Sequence, residues 1–536
     1  MTGRDDVVAR LTAAGAEFEI SREPVRGRPM NVFARRHRSL TELLEASRRF
    51  GDREYLVTAD SRLTFAQHYD RVTALAAALR EEYGVGPGDR VALCAANCPE
   101  WIVAFWATVS LGAIAVGMNS MWAAPEISHG LALTGPKLTL VDAGRKPLVE
   151  AKTLEFGSPE YQDLLDRHRG AALTPARADE DDPAVVLFTS GTSGRPKGAT
   201  HSHRNLIAAV WFHLFNDALA AGLGFPHRDR RFLLATPLFH IAALHNLAVV
   251  RLAVGDTAVL HLGKFDLARV LDLVQTEQIT NWGAVPTMLS RLVEADLDGY
   301  DLSSLKTVSV SSAPSTAELK DSLRKALPGA GASLTTNYGL TESTTAATLA
   351  TPADVIADPD TAGRPVPNME VEIRDPGGRP VPEGVDGEIH LRGPQVMLGY
   401  YNDPAATAAA FTADGWFRTG DLGRFQDGAL TVLSRRSDLI LRGAENIYPA
   451  EVEEQLLTHP DVVECLVAGL PDADYGQAVA ATVVVRPGSG VDAQALREYL
   501  GGRLARYKVP TLWFLTRDPL PRNATGKVVR RLVRWE

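Results

Sequence analysis

A glycine-rich stretch that follows a buried strand is the feature of this sequence that most constrains its fold. Residues 183–188 are apolar and partly β-branched, which predicts a core strand. The next ten residues, 189–198, contain three Gly, four Ser or Thr and one Lys. Glycines let backbone N–H groups close around phosphate oxygens, while hydroxyl groups and an ammonium add donors and positive charge. The order of these residues predicts a phosphate-binding loop at the end of a strand, rather than a merely flexible connection.

Length and composition bound the class of protein. A chain of 536 residues is too long for one ordinary core, so we expect two or more domains. The net charge of −9 argues against nucleic acid as a partner. The three cysteines, Cys94, Cys98 and Cys465, have neither disulfide-framework nor zinc-site spacing, which fits a reducing cytoplasmic location. The sequence leaves open whether the chain forms a homodimer.

One apolar stretch raises the question of membrane insertion. Residues 101–118 are strongly apolar, but they contain Thr108, Ser110, Gly112 and Gly117. We therefore predict a buried helix that ends near Gly112 and then a short core strand, rather than a transmembrane span. The first residues of the sequence also lack the apolar centre of a signal peptide. We expect no integral membrane contact.

The first part of the sequence alternates helical and strand patterns. Residues 64–83 place apolar side chains at helical spacing, which predicts an amphipathic helix, and residues 90–94 predict a strand. Residues 142–178 have weak periodicity and many charges, so we expect a surface connection there. Strand and helix patterns then alternate up to residue 310, which indicates a layered α/β architecture.

The pattern changes twice towards the C-terminus. Residues 369–435 are mostly of β type, whereas residues 449–457 predict a helix with acidic residues in its first turn. We predict an α/β fold with a large N-terminal domain, residues 1–436, made of layered α/β sheets and a β subdomain. A small mobile α+β domain, residues 437–536, would follow it.

Four short motifs lie in order along the chain. They are TSGTSGRPKG at 189–198, NYGLTE at 337–342, GWFRTGD at 415–421 and PRNATGK at 521–527. The first differs from the nucleoside-triphosphate loop G-x-x-x-x-G-K-[ST], because its lysine follows a proline and precedes a glycine. Together the four motifs resemble the adenylate-forming superfamily of acyl-CoA synthetases, peptide-synthetase adenylation domains and luciferases. The resemblance runs from about residue 40 to the C-terminus.

The resemblance implies a role for each motif in binding ATP. The glycine-rich loop would hold the β- and γ-phosphates, Tyr338 would stack on the adenine, and Asp421 would accept hydrogen bonds from both ribose hydroxyls. Thr341 would contact the α-phosphate, and Glu342 would bind Mg²⁺. The implied nucleotide-binding residues are Thr189, Ser190, Gly191, Thr192, Ser193, Gly194, Lys197, Ser312, Ala313, Pro314, Asn337, Tyr338, Gly339, Asp421 and, on the ribose, Arg435.

The resemblance also implies two half-reactions. Lys527 would bridge the carboxylate and the α-phosphate while acyl-AMP forms, as a charge on a long flexible side chain can. The C-terminal domain would then rotate about Ser437, where relatives usually carry Asp or Lys, so that a thiol can attack. Gly443, Ala444 and Glu445 would line the thiol path. Residues 445–453 resemble acyl-CoA synthetases, which favours CoA over a carrier-protein thiol.

The acid-binding pocket is the part that the sequence specifies least. His240 is either a wall residue near the carboxylate or a packed core histidine. Ala242 and Gly283 are small and would leave volume for a bulky acid. Trp211 is either a pocket residue or a core tryptophan. The segments around His240 and Gly283, residues 237–243 and 281–286, contain no acidic residue that could bind an amino group. This argues against an amino acid as substrate.

The sequence therefore predicts an ATP-dependent acid–CoA ligase that uses ATP, Mg²⁺ and CoA on a hydrophobic, medium- to long-chain fatty or similar acid. An acyl-AMP ligase that loads a carrier protein, and an aryl or steroid acid–CoA ligase, remain as alternatives. A luciferase-like oxygenase is remote. A binding protein without turnover is disfavoured because Lys197, Glu342, Asp421 and Lys527 are all present.

Overall fold

The structure is a computed structural model. It describes residues 4–174, 176, 178–189, 196–226, 229–310, 317–331, 333–435, 438–442, 445–472, 476–504, 506–522 and 528–535.

The α-helices alternate with strands along most of the chain. They are α1 (Arg4–Thr12), α2 (Leu40–Ser47), α3 (Phe65–Glu81), α4 (Pro99–Ser110), α5 (Ala124–Thr134), α6 (Pro159–Arg167), α7 (His203–Gly222), α8 (Val250–Val254), α9 (Leu267–Thr276), α10 (Pro286–Glu294), α11 (Ala317–Ala326), α12 (Pro328–Gly331), α13 (Pro352–Ala357), α14 (Pro404–Ala410), α15 (Pro449–Leu457) and α16 (Ala493–Gly501). A π-helix spans Ala242–Val249, and short 3-10 turns lie at Arg48–Phe50, Lys146–Leu148, Thr341–Ser343, Arg506–Lys508 and Arg530–Leu532.

The strands are numbered here in chain order. They are β1 (Ile20–Val25), β2 (Arg28–Phe33), β3 (Glu54–Val57), β4 (Arg62–Thr64), β5 (Arg90–Cys94), β6 (Ile114–Gly117), β7 (Leu138–Val141), β8 (Thr153–Glu155), β9 (Pro183–Thr189), β10 (Lys197–Ser202), β11 (Arg231–Leu234), β12 (Thr257–Leu260), β13 (Asn281–Ala284), β14 (Thr307–Val310), β15 (Leu334–Leu340), β16 (Thr345–Ala350), β17 (Thr361–Pro365), β18 (Glu370–Arg374), β19 (Gly387–Arg392), β20 (Gly399–Tyr400), β21 (Phe417–Gln426), β22 (Ala429–Arg435), β23 (Ile440–Arg442), β24 (Glu445–Ile447), β25 (Val462–Asp472), β26 (Gly476–Val485) and β27 (Leu512–Thr516).

One sheet carries the glycine-rich loop. Within the described residues its strand order is β20-β10-β9-β6-β5-β7-β8, and the strands from β9 to β8 run parallel. β10 returns antiparallel to β9, so the loop of residues 190–195 joins two neighbouring strands. Helix α4 packs beside this sheet with nearly every residue buried. The apolar stretch at 101–118 is therefore a core helix followed by the core strand β6, as the sequence predicts.

The second sheet is longer and joins two subdomains. Its order over the described strands is β18-β19-β21-β22-β17-β16-β15-β14-β13-β11-β12-β3-β4. The strands from β3 to β15 in this order run parallel, and those from β16 to β18 run antiparallel and form the β subdomain. Helices α9, α10 and α11 cover one face of the parallel part, and the π-helix packs on the opposite face against β11 and β16.

The C-terminal part has a core of its own. Ile440, Ile447, Val452 and Val467 belong to one buried cluster that is formed by β23 to β26, α15 and α16. Tyr448 donates a hydrogen bond of 3.0 Å to Asp386 of the β subdomain. Residues 436 and 437 lie outside the described residues, so the division of the chain at 436/437 stays a prediction.

Local chemistry explains why the strongly patterned elements form as expected. Helix α3 begins after Thr64, and Thr64 and Gln67 make reciprocal side-chain-to-backbone hydrogen bonds at its start. Strand β5 and helix α15 have the predicted bounds. Across the described chain, no helix is both long enough and apolar enough to cross a bilayer. The predicted α/β class, with a large N-terminal part and a small C-terminal part, is confirmed.

The prediction of a plain surface connection at residues 142–178 is wrong in its middle. This segment contains β8, which extends the first sheet, and α6, which buries Tyr161 and Leu164. Both elements are short, and α6 has few apolar residues, so their periodicity is weak in the sequence. The start of α6 does carry a signal, because Ser158 caps the helix and Pro159 occupies its first turn.

Candidate active site

Three of the sequence-predicted nucleotide segments directly follow strands that belong to parallel sheet regions. The glycine-rich loop follows β9, the segment of Ser312, Ala313 and Pro314 follows β14, and Thr341 follows β15. β14 and β15 are direct neighbours, so the residues beyond them leave the sheet at one edge. The carboxyl ends of parallel strands are the common place for a ligand in open α/β sheets.

The two ends of the glycine-rich loop are fixed by strand pairing. Thr189 and Lys197 are direct partners in the antiparallel pair β9–β10. The ammonium nitrogen of Lys197 lies 5.1 Å from the ring centroid of Tyr400, at a distance typical of a cation–π contact. Because β20 pairs with β10, Tyr400 lies beside the start of β10, where the glycine-rich loop ends. Ser190, Gly191, Thr192, Ser193 and Gly194 lie outside the described residues.

Tyr400 connects this loop to the carboxylate that is predicted to bind Mg²⁺. Its hydroxyl donates a hydrogen bond of 2.9 Å to Oε1 of Glu342. Burial and the neighbouring Glu342 both raise the pKa of Tyr400, which keeps the phenol protonated as a donor. None of the four sequence motifs includes Tyr400. The sequence feature that could have pointed to it is the pair of tyrosines, Tyr400 and Tyr401, directly after Gly399. Lys197, Tyr400 and Glu342 thus form one contiguous group.

A tight turn presents Thr341 and Glu342. Gly339 lies at a bulge between β15 and β16, and a Cβ there would come within 1.6 Å of the carbonyl oxygen of Thr345. Only glycine permits this approach. Ser343 closes the turn, because its hydroxyl accepts from the backbone N–H of Leu340 and donates to the carbonyl of Thr345. The backbone around the two functional side chains is therefore tightly specified.

The predicted adenine and ribose residues are in direct contact. The Tyr338 hydroxyl donates a hydrogen bond of 2.8 Å to Oδ2 of Asp421, and the two residues are only 9% and 7% exposed. The backbone N–H of Asp421 donates to the hydroxyl of Thr419. Asp421 is the strand partner of Arg435 in the pair β21–β22, and Asn337 precedes Tyr338 on β15. Motifs 83 residues apart therefore meet at one place.

Two of the predicted acid-pocket residues belong to the π-helix and to the second sheet. Ala242 begins the π-helix, and Gly283 lies on β13 with its partner Ser309 on β14. Gly283, Ser309 and Thr335 are partly exposed, whereas their neighbours Trp282 and Val308 are buried on the side of α9 to α11. Within the described chain, the Ser309 hydroxyl, at 3.2 Å, is the one atom that a Cβ at Gly283 would approach closely. Gly283, Ser309 and Thr335 therefore lie on the face of the sheet opposite α9 to α11, which is the face that the π-helix packs against.

His240 and Trp211 differ in their surroundings. Burial lowers the pKa of His240 to about 4, so its imidazole is neutral, and its buried Nε2 has no hydrogen-bond partner among the described residues. Trp211 packs against the rings of Phe18 and Phe33, and its indole N–H donates to His37. These contacts favour the core interpretation of Trp211 and give no support to a place in the pocket.

Several predicted residues cannot be placed. Besides the loop residues already named, the residues outside the described part are Ser312, Ala313, Pro314, Ser437, Gly443, Ala444 and Lys527, and the side chains of Arg435 and Glu445 are likewise not described.

The described residues fit Mg²⁺ that arrives with ATP. Magnesium is usually bound through one or two carboxylates together with phosphate oxygens and water. Glu342 supplies one such carboxylate, and Tyr400 lies between it and Lys197. The described residues contain no group of three His, Cys, Asp or Glu side chains that could hold a metal ion by themselves. The donor set thus matches a metal that is shared with the nucleotide.

Comparison with known proteins identifies the family. The family model described as "AMP-binding enzyme" matches residues 43–401, and the one described as "AMP-binding enzyme C-terminal domain" matches residues 451–527. The chain is 36% identical over 485 residues to a feruloyl-CoA synthase of an Amycolatopsis species, covering 88% of this chain and 93% of the relative. It is 33% identical over 494 residues to a long-chain-fatty-acid–CoA ligase of Mycobacterium tuberculosis, covering 89% and 93%.

A solved structure gives the same result. The o-succinylbenzoate coenzyme A synthetase of Bacillus subtilis, in complex with ATP and a magnesium ion, superimposes with a TM-score of 0.79 at 32% identity, covering 91% of this chain and 98% of that chain. The resemblance inferred from the four motifs is thereby confirmed. The chain belongs to the AMP-binding enzyme family, among its AMP-forming acid–CoA ligases, which use ATP, Mg²⁺ and CoA.

Proposed function

We propose that this enzyme activates a hydrophobic carboxylic acid, of medium to long chain or of similar bulk, and transfers the acyl group to CoA. The observation that carries the proposal is the small size of residues on the π-helix and on the sheet face that it packs against. Ala242 and Gly283 are small, and within the described chain a Cβ at Gly283 would closely approach only the Ser309 hydroxyl, so we infer that larger side chains here would fill the acid pocket. Apolar surface that leaves water on binding stabilises a complex in proportion to its area, so such a space favours a bulky apolar acid over acetate.

An aryl or ring acid is the second candidate for the substrate. The relatives support it, because one is named for feruloyl-CoA and another for 2-succinylbenzoate. The long-chain-fatty-acid ligase among the relatives supports the alkyl acid equally. Both candidates need a large pocket, so its size does not distinguish them. The choice depends on the side chains at the end of the pocket that is remote from the carboxylate.

In the first step a carboxylate oxygen attacks the α-phosphorus of ATP, and the bond to pyrophosphate breaks. We assign Lys197 and the glycine-rich loop to the β- and γ-phosphates, because Thr189 and Lys197 bracket that loop. Glu342 would hold Mg²⁺, which neutralises the leaving pyrophosphate, while Thr341 would contact the α-phosphate. Lys527 would bring the carboxylate and the α-phosphate together. Fixed positive groups of this kind stabilise the charge that develops in the transition state.

Two further contacts would orient the reactants. Tyr338 is held by Asp421 through their 2.8 Å hydrogen bond, and we assign them to the adenine and the ribose hydroxyls. A carboxylate suits a vicinal diol because it has two acceptor oxygens. The neutral His240 would donate its Nε2–H to the acid's carboxylate, which would satisfy a nitrogen that otherwise stays buried without a partner in the described chain.

In the second step the sulfur of CoA attacks the acyl carbon, the thiol loses its proton, and AMP leaves. We assign the approach of the thiol to Gly443, Ala444 and Glu445 after a rotation about Ser437. A side chain larger than that of Ala444 should narrow this path and slow the second step more than the first. These assignments rest on the motifs alone.

The proposal is tested by pyrophosphate release with ATP and Mg²⁺ over acids from acetate to C16 and over aryl and steroid acids, with and without CoA. We expect release that depends on a bulky hydrophobic acid, with CoA consumed in equal amount. Release without thioester would point to a carrier protein as acceptor. Release with acetate alone would overturn the assignment of a bulky acid.

A further inference from the structure

Three polar side chains meet beside the π-helix and have no part in the reaction described above. They are His213 on α7 and His245 and Asn246 on the π-helix, and we name them the distal polar cluster. As the side chain is placed in the structure, Nε2 of His213 lies 3.1 Å from Oδ1 of Asn246, and Nδ1 of His245 lies 3.3 Å from the same Oδ1. Nε2 of His245 lies 2.9 Å from the carbonyl oxygen of Leu206.

Asn246 of the distal polar cluster lies on the same face of the π-helix as Ala242. Asn246 comes four residues after Ala242, about one turn along the π-helix. Both residues are partly exposed, whereas the residues between them, at 243–245, are buried. His213 is also partly exposed, although burial by the surrounding chain lowers its pKa to about 3. A side chain that is enclosed by protein and yet keeps accessible surface borders an internal space.

The hydrogens of the cluster follow from its chemistry. His245 faces a carbonyl with Nε2, so this nitrogen carries the hydrogen, and Nδ1 of the neutral ring can only accept. The amide of Asn246 must therefore turn its NH₂ towards His245, since two acceptors cannot bond each other. The second N–H of that amide points at Nε2 of His213. Nε2 of His213 is then an acceptor, and its Nδ1 carries the hydrogen.

Two polar atoms of the cluster are left for a ligand. One is the amide oxygen of Asn246 in this orientation, and the other is the Nδ1–H of His213. Among the described residues the structure gives neither position a hydrogen-bond partner. Both positions keep accessible surface, so water can bind them in the free enzyme. A ligand that displaces this water without replacing its hydrogen bonds would lose about 1–3 kcal/mol for each polar group left unpaired, so a ligand that supplies the bonds is favoured.

Two side chains, Arg251 and Tyr55, hydrogen-bond to the backbone of the π-helix at and near the distal polar cluster. The Arg251 guanidinium donates a hydrogen bond of 3.0 Å to the backbone carbonyl oxygen of Asn246 and one of 2.7 Å to the carboxylate of Asp256. The Tyr55 hydroxyl donates to the carbonyl of Ala248 at 2.9 Å. These two side chains satisfy backbone carbonyl groups of the π-helix at and near Asn246, and so hold the backbone that carries its side chain. A rigid polar pair of this kind can discriminate between ligands, because its atoms cannot turn away to other partners.

We propose that the acid bound by this enzyme carries a hydroxyl group at the end remote from its carboxylate, and that Asn246 and His213 bind this hydroxyl. A hydroxyl donates one hydrogen bond and accepts another, which matches the free acceptor of Asn246 and the free donor of His213. A ketone would leave the Asn246 oxygen unpaired, and a second carboxylate would meet an oxygen and an uncharged imidazole. The inference rests on the proposed function, since it places the acid beside Ala242 with its carboxylate towards His240.

The first test uses the unmodified enzyme and pairs of acids that differ only by the distal hydroxyl. Suitable pairs are phenylpropanoid acids with and without a 4-hydroxyl, and long-chain acids with and without a terminal hydroxyl. The measured quantity is kcat/KM for pyrophosphate release with Mg-ATP. Sites that hydrogen-bond a substrate hydroxyl can reject the analogue that lacks it by about 10⁴-fold, and we expect a preference of at least about tenfold for the hydroxy acid in one pair. A preference for the hydroxyl-free acid in every pair would overturn the inference.

The second test replaces the two binding side chains. Asn246→Leu and His213→Phe should bring the ratio of the two kcat/KM values close to one, mainly through loss of activity on the hydroxy acid. His68→Phe is the matched control, because His68 is also a buried neutral histidine but lies on α3. An unchanged ratio in both cluster variants would refute the inference while leaving the ligase activity established. Absence of acid-dependent release from the unmodified enzyme would instead refute the proposed function.

Discussion

Replacing Tyr400 by Phe tests the connection between the phosphate-binding loop and Glu342. The change removes a single hydroxyl group, whose hydrogen bond to Oε1 of Glu342 is 2.9 Å long. The ring stays, and with it the contact to the ammonium group of Lys197 at 5.1 Å. The substitution therefore frees the Glu342 carboxylate from one of its fixed contacts and leaves the packing of β20 unchanged.

The expected effect follows from the kind of hydrogen bond that is lost. A hydrogen bond to a charged group contributes roughly 1.5–3 kcal/mol. Because Tyr400 is only partly buried, the lower end applies, and about 1.4 kcal/mol corresponds to a factor of about ten in rate. We expect kcat/KM for Mg-ATP to fall about tenfold and the half-saturating Mg²⁺ concentration to rise. KM for the acid should change little, because no contact of Tyr400 is with the acid pocket residues Ala242 or Gly283 in the described chain.

The assay is acid-dependent pyrophosphate release at saturating acid, with ATP and Mg²⁺ varied independently. Tyr401→Phe is the control, since Tyr401 is the next residue and its hydroxyl has no hydrogen bond within the described part of the chain. Equal losses in the two variants would mean that the region tolerates no change of either tyrosine. An unaltered Mg²⁺ dependence in Tyr400→Phe would refute the role of Tyr400 in holding Glu342.

Three further substitutions have separate readouts. Asp421→Ala should weaken ATP binding about tenfold or more, because the ribose diol loses its acceptor and Tyr338 loses its 2.8 Å partner; unchanged nucleotide affinity by calorimetry would contradict this. Lys527→Ala should abolish acyl-AMP formation and spare thioester formation from supplied acyl-AMP, and equal losses in both steps would contradict the assignment. Ala242→Trp should fill the proposed acid pocket and lower kcat/KM for C12 to C16 acids much more than for short acids, whereas a uniform loss would place Ala242 outside the pocket.

The sequence predicts the elements whose patterns are long and strong. Helix α3 combines an apolar stripe with a capping box at Thr64, and α4 and β6 are mostly apolar, so local rules suffice for them. Helix α6 and strand β8 are short and carry few apolar residues. They are stabilised by tertiary contacts, since β8 pairs with the edge of the first sheet and α6 buries two side chains. Tertiary packing of that kind leaves only a weak trace in the sequence.

The contacts within the candidate site are beyond what the motifs can predict. The motifs supply Tyr338, Asp421 and Glu342, but the bond between Tyr338 and Asp421 spans 83 residues, and the bond between Tyr400 and Glu342 spans 58. Only the order of strands in the second sheet and the pairing of β10 with β20 bring these side chains together.

The π-helix is the clearest example of information that the sequence does not carry. Its residues, Ala242–Val249, have the apolar composition of an ordinary buried helix. The wider turn puts Asn246 on the same face as Ala242, and that placement sets the distal polar cluster beside the predicted pocket. π-Helical segments are rare and frequently occur at functional sites, and this one borders the region where the acid is expected to bind.

The most direct test of the central claim is mass spectrometry of a single turnover. Enzyme in excess is mixed with ATP, Mg²⁺ and one hydrophobic acid, and CoA is added after the first product has formed. We predict that acyl-AMP appears with an equal amount of pyrophosphate, and that CoA then converts it one for one into acyl-CoA and AMP. The claim would be contradicted if no acyl-AMP formed with any hydrophobic acid although ATP binds, or if CoA left the acyl-AMP unchanged.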